Sequence, residues 1–463
     1  MKIKNRERLL AHGERESRRI VLEVLEATLQ SLDAYHRIKT LLKWDGSTLS
    51  IGENHWDFRQ KRRIYVIGAG KACNAMARAV DEILGDRITE GLVIVKGIEP
   101  EDTLKHIELV TGGHPLPNHE GWKASQRILD LVNQSTPDDL FIVMISGGSS
   151  ALMSCPVEGI TLEDERIITD QLLKSSARIL EINAIRRHVS ETNGGRLAQK
   201  IEAKGAEMIN LIISDSVGDR PTLDPGKPVP FFGTPVAPDG TTLEEARHVL
   251  KKYDLLSKAP PSIVDYLKTS DPYRETPKSF GNRIYHFVMG GCADSCQAAK
   301  GAAEERGIPG LILTTFLQGE SREAGTFLAS VAREIALNHR PIHPPCLLIA
   351  SGETTTKVEG ASGQGGPSQE LALGFALEIS DLKGICVAAM DTDGTDGPTE
   401  IAGGIGDSST RERAERKDLD IYESLLIHDS STVLRVLEDE IMTGNTGTNV
   451  CDLNVIYIPQ REG

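Results

Sequence analysis

Short apolar runs recur along this chain, and clusters of glycine stand where they end. The runs 64–67, 92–95, 141–145 and 211–213 fall in the first half; 284–289, 311–313, 347–349 and 387–390 follow in the second. Helical stretches lie between them, at 72–84, 120–132, 162–173, 320–337 and 369–377. Residues 17–32 have the spacing of an amphipathic helix ahead of the first run. Near-continuous apolar strands alternating with helices predict parallel sheets covered on both faces, an α/β fold. The glycines, 44 in all, exceed the usual share of about 7%. They gather where an α/β protein turns from strand to helix, the end of the sheet at which ligands bind.

At 463 residues the chain exceeds the roughly 250–300 residues that one core serves, so two domains are expected. A polar stretch at 269–281 precedes the run at 284, and a boundary there gives domains 1–275 and 276–463. The segment 221–240 is rich in proline and glycine, which makes it a functional loop or a connector. The net charge of −15, from 52 Lys and Arg against 67 Asp and Glu, lacks the basic footprint of a nucleic-acid binder. An anionic substrate stays open, through local cations and backbone N–H groups. The apolar runs fall well short of the ~20 residues that cross a membrane. The first residues mix Lys2, Lys4, Arg6 and Arg8 with Glu7, Glu14 and Glu16, without the apolar core of a signal peptide. A cytoplasmic protein with no nucleic-acid or membrane partner is expected. Its seven scattered cysteines are expected as reduced thiols. Cys292 and Cys296 lie four apart, but no second Cys or His pair completes a zinc site. Monomer and homodimer both stay open.

Six loops carry the candidate chemistry. In IYVIGAGKA, Gly68 and Gly70 let the backbone approach a ligand, and Lys71 opens a helix whose N–H groups suit an anion. The dinucleotide fingerprint fails, because Cys73 replaces its third glycine and Lys96 the acid of the next strand; the Walker A pattern fails as well. In ISGGSSAL, Ser146, Gly147, Gly148 and Ser149 offer amides and hydroxyls to a phosphate or carboxylate. In ISDSVGD, Asp215 and Asp219 could hold Mg²⁺ or cap turns. A strand ends near Glu353, and the turn through Gly365 and Gly366 leads past Pro367 to a helix beginning with Gln369 and Glu370. Asp391, Asp393 and Asp396 suit a hard cation or, alternatively, the capping of local N–H groups. Thr446, Thr448, Asn449 and Asp452 suit sugar or polyol hydroxyls or an ordinary turn. His114 and His188 read as satisfied structural histidines, with anion contact as the other option.

Taken in order, the stretches VIGAGKA, GGHPLP, ISGGSSAL, EINAIRRHVSETNGGRLA, ISDSVGD, ASGETT, GQGGPSQE, DTDGTDGPTEIAGG and TGNTGTNVCDL resemble the two-domain glycerate 2-kinase family with its C-terminal MOFRL domain. They span residues 66 to 453. The resemblance implies a Rossmann-like three-layer parallel sheet in the N-terminal domain and a mixed sheet in the C-terminal one, with the active site in the cleft. It implies ATP-dependent phosphorylation of D-glycerate at the 2-hydroxyl, with Mg²⁺. Lys71 matches the family's lysine and is expected to neutralise charge on the transferred phosphoryl group. Asp393 and Asp396 are the expected metal ligands, and Asp215 or Asp393 the expected acceptor of the hydroxyl proton. Two cations of the commoner family sequence are absent: Pro367 stands for an Arg and Asn193 for a Lys. Arg186, Arg187, Arg196 and Arg220 are the candidates to replace them. The alternatives are a hydroxypyruvate reductase-type oxidoreductase and a non-catalytic nucleotide or metabolite binder.

Overall fold

The computed structural model describes residues 1–463 apart from 101, 176, 178, 219–234, 270, 357–361 and 461–463. The chain divides into two compact units. One comprises Ala34–Ser214 and Asp219–Met289; the other comprises Met1–Asp33, Asp215–Gly218 and Gly290–Gly463. This differs from a single cut at 275/276. The helix Arg15–Ser31 belongs with the C-terminal half, because Val21, Val24, Leu25 and Leu29 place its apolar face against that half's sheet. Residues 276–289 stay with the first unit, because the strand at 284 completes its sheet.

In the first unit the sheet strands are β1 (Ile64–Ala69), β2 (Glu90–Val95), β3 (Glu108–Thr111), β4 (Leu140–Ile145), β5 (Glu207–Ile213) and β6 (Ile284–Gly290), in the spatial order β3-β2-β1-β4-β5-β6. The pairs β3/β2, β2/β1, β1/β4 and β4/β5 are parallel. Every residue of β1 and β4 is buried, as both faces of a covered parallel sheet require. Tyr65, Ile67, Phe141 and Val143 pack on Ile128, Leu131 and Leu197 from the helices. Each such side chain contributes about 1.5–3 kcal/mol when fully buried. Order β2-β1-β4 with parallel pairing puts a reversal of winding between β1 and β4, the place where open sheets bind ligands. A three-stranded antiparallel sheet at 43–57 stands apart from this one.

The second unit's sheet runs β7 (Gly310–Leu317), β8 (Cys346–Gly352), β12 (Asp452–Ile458), β9 (Cys386–Asp391), β10 (Gly403–Asp407) and β11 (Glu440–Ile441). Only β7/β8 is parallel; the other four pairings are antiparallel. The mixed sheet implied by the family resemblance is therefore present, and the all-parallel reading of the apolar pattern is corrected here. Strands buried on both faces read alike in either direction. Leu347, Ile349, Leu453 and Val455 face helix Arg15–Ser31, while Leu348, Ala350, Ile456 and Ile458 pack against Leu328, Ala332 and Phe375. Among the described residues no helix is long and apolar enough to cross a membrane.

Cys292 and Cys451 form a disulfide, with Cα atoms 5.6 Å apart. This corrects the expectation of seven thiols; the other five cysteines are free and buried. A separation of 159 residues hid the pair, which only the fold brings together.

Candidate active site

In the first unit, three glycine-bearing loops meet at the C-terminal ends of β1 and β4. Lys71 donates its amide to the carbonyl of Gly147 at 2.9 Å, and Ser146 donates its amide to that of Ala69 at 3.2 Å. The amide of Ala72 donates to Ser146 Oγ at 2.9 Å. Gly68 lies within β1, and Gly70 follows it with its amide on the carbonyl of Ile94. Gly148 has φ +85°, and an added Cβ would stand 3.0 Å from the ring of His114 and 3.4 Å from Cγ of Lys71. Glycine there lets the ISGGSSAL turn lie against both side chains.

Two helices start from these loops, at Cys73 and at Ser149; their N-cap residues Ala72 and Gly148 supply no side-chain cap, and the amides of Cys73 and Ser149 bond to the carbonyls of Gly70 and Ser146. Elsewhere in the unit, Asn118 caps one helix and Thr161 and Thr242 form capping boxes on two others. A helix start with a lysine beside it suits an anion. The loops are braced from below. Asn193 Nδ2 donates to the carbonyl of Ser150 at 3.0 Å, and Arg186 donates to that of Pro115 at 3.0 Å. Arg186 is buried near Glu165, whose pKa burial pushes up to about 7.

The C-terminal unit treats its glycine-rich turn differently. Asp396 accepts from the amides of Ser368 (3.0 Å) and Gln369 (2.9 Å) and from Gln369 Nε2 (3.1 Å). Pro367 has no N–H, and the amide of Glu370 bonds to Gly366. The first turn of helix Pro367–Glu378 is thus already satisfied by the chain's own carboxylate. Gly366 is required there because a Cβ would run into that carboxylate, and Gly365 approaches Ser430. Gln369 also donates to Thr399 and accepts from Ser431, and Glu370 pairs with His428 at 2.9 Å. Gly365, Gly366, Gln369 and Glu370, expected to bind nucleotide, are used in building this turn.

Asp393 accepts from the amide and hydroxyl of Thr395 at 2.7 and 2.8 Å. Asp215 accepts from Asn449 Nδ2 at 3.0 Å. Thr446 is fully buried, with its hydroxyl on the carbonyl of Thr392, so it is spent on the loop and not offered to a sugar. Asp452 lies opposite both Gly352 and Asp391 in the sheet. Burial, then the charges of Asp391, Asp396 and Glu353, raise its pKa well above the ordinary value. Among the described residues no group of three or more His, Cys, Asp or Glu side chains is arranged to hold a metal ion. Of the expected pair, Asp396 spends both carboxylate oxygens on amides of helix Pro367–Glu378, and Asp393 spends Oδ1 on Thr395. Asp219 and Arg220, with 221–234, lie outside the described residues.

Two family profiles match the chain: a domain of unknown function (DUF4147) over residues 20–268 and the MOFRL family over residues 346–452. A glycerate 2-kinase of Pyrococcus horikoshii is 37% identical over 96% of this chain and 98% of its own length. The chain belongs to the glycerate 2-kinase family. Another similar member, a D-glycerate 2-kinase of Thermotoga maritima, is 38% identical over 84% of this chain and 89% of its own. A crystal structure of a glycerate kinase from Thermotoga maritima superposes with a TM-score of 0.77 at 34% identity, covering 95% of this chain and 99% of that one.

Within this family member, Lys71, Ser146, Gly147, Gly148 and Ser149 are brought together, as the sequence suggests. His114 joins them, although the sequence reading favours a structural role for it. The signal was its place in GGHPLP, directly after β3, at the same sheet edge as the other loops. His188 is structural as read, bonded to the carbonyl of Ala184 (2.7 Å) and to Glu275 (2.8 Å).

Proposed function

We propose that this chain transfers the γ-phosphoryl group of ATP to the 2-hydroxyl of D-glycerate. The observation that carries the reading is the convergence of Lys71, His114 and Gly148 where the helices at Cys73 and Ser149 begin, in a chain that aligns with glycerate 2-kinases over most of its length. The amides of Gly147 and Gly148 bind phosphate oxygens, and Lys71 neutralises charge that builds on the transferred group. Asp215 and Asp393 are the proposed acceptors of the hydroxyl proton. Mg²⁺ is the proposed cofactor, with Asp393 and Asp396 as its proposed ligands.

The test is ADP release with ATP and D-glycerate, with the product position read by enolase coupling. Enolase accepts 2-phosphoglycerate directly, so signal without added mutase supports the 2-hydroxyl. ADP release that needs mutase moves the assignment to the 3-hydroxyl. NAD(P)H consumption with hydroxypyruvate, without ADP release, would replace the kinase by the oxidoreductase.

A further inference from the structure

Arg187, in the helix Ile179–His188, is only 1% exposed. Its Nη1 donates to Asp239 at 2.8 Å, while Nε and Nη2 have no hydrogen-bond partner among the described residues. Asp239 is fully committed: Oδ1 also accepts from the amide of Thr241, and Oδ2 accepts from the hydroxyls of Thr241 and Thr276. A buried cationic donor left unmet carries the full cost of its lost hydration. Folds tolerate that where a ligand supplies the acceptor.

The surroundings are shaped around this group. Gly194 has φ +64°, and an added Cβ would stand 3.0 Å from Cβ of Arg187, so the 193–195 turn closes directly on the helix. Asn193, also fully buried, has an orphaned Oδ1 in that turn. Its Nδ2 holds the carbonyl of Ser150, and the neighbouring Arg186 holds that of Pro115. The stretch that carries Arg187 therefore supports two loops of the candidate active site.

We propose that Arg187 is the carboxylate-binding residue for the acceptor acid. A guanidinium edge matches the two oxygens of a carboxylate, or two of a phosphate. Of the two, the acceptor's carboxylate is assigned to it, and the assignment rests on the kinase reading only for the identity of the acid.

The experiment uses the full chain. In wild type, D-glycerate alone should raise the melting temperature, while glyceramide and glycerol should not. Arg187→Lys keeps the charge and loses the fork, and Arg187→Gln keeps a donor for Asp239 without the charge. Each should abolish the glycerate-induced shift and raise KM for D-glycerate about tenfold or more, with KM for ATP within about twofold. Unchanged KM for glycerate in a folded Arg187 variant overturns the proposal, as does equal stabilisation of wild type by glycerate and glycerol. A rise confined to KM for ATP reassigns the guanidinium to phosphate and also overturns it. If wild type turns over no hydroxy acid, the kinase reading fails, and the carboxylate-dependent shift still judges Arg187 by itself.

Discussion

Asp396 closes the N-terminus of helix Pro367–Glu378, taking the amides of Ser368 and Gln369 on its two carboxylate oxygens at 3.0 and 2.9 Å. Burial nonetheless outweighs these bonds and pushes its pKa from 3.8 up to about 7. The folded state then holds this proton more tightly than the unfolded chain. The associated stability is complete below about pH 4 and is lost as the pH rises through 7, at about 1.4 kcal/mol for each pH unit separating the folded and unfolded pKa. Asp396→Asn should shrink the difference in unfolding free energy between pH 5 and pH 8. Urea unfolding at both values checks it, and an undiminished difference means that Asp396 does not titrate there.

Lys71 is half-buried beside Gly148, so its removal leaves no cavity. Lys71→Ala should keep the melting temperature within about 2 °C and lower kcat by about 10²–10⁴, the value of 3–5 kcal/mol of transition-state stabilisation. Steady-state kinetics with ATP and D-glycerate decide it; near-wild-type kcat removes the lysine from the mechanism.

Much of the fold was readable from residues alone, for physical reasons. Strands such as 141–145 are apolar because both faces are covered, and the helices between them keep their period; these elements fall within a few residues of their predicted ends. Pairing direction was not readable, since β8 and β12 bury alike whichever way they run. The loops around Gly68, Lys71 and Gly148 announced themselves by following strands. Asp396 did not: an acid in a glycine-rich turn looks the same whether it awaits a cation or caps a helix 27 residues away, and only distances separate the two. The pairing of Cys292 escaped for the same reason, as its partner Cys451 is distant along the chain.

The Cys292–Cys451 bond closes a long loop, and its loss should cost about 2–5 kcal/mol. Thiol titration of denatured protein should count five groups without reductant and seven after reduction. Cys292→Ser should lower the melting temperature and make it insensitive to dithiothreitol. Seven groups before reduction would mean that the bond is absent.

Arg18 is fully buried between Asp407, at 2.5 Å, and Asp439, at 2.7 Å. Removing one member of such a group leaves uncompensated charge in the interior. Arg18→Ala should destabilise the protein by about 3–5 kcal/mol, measured by denaturant unfolding; a loss under about 1 kcal/mol would show that water or rearrangement relieves the two acids.

The helix Arg15–Ser31 lies on a sheet whose central strand, β12, is made from residues 452–458. On a ribosome adding about 5–20 residues per second, that helix emerges and then waits about 20–90 seconds before its docking surface is complete. Its apolar stripe, with Val21, Leu25 and Leu29, has its full packing surface only after that interval. A nascent chain of this kind is a natural client for chaperones that bind early and release late.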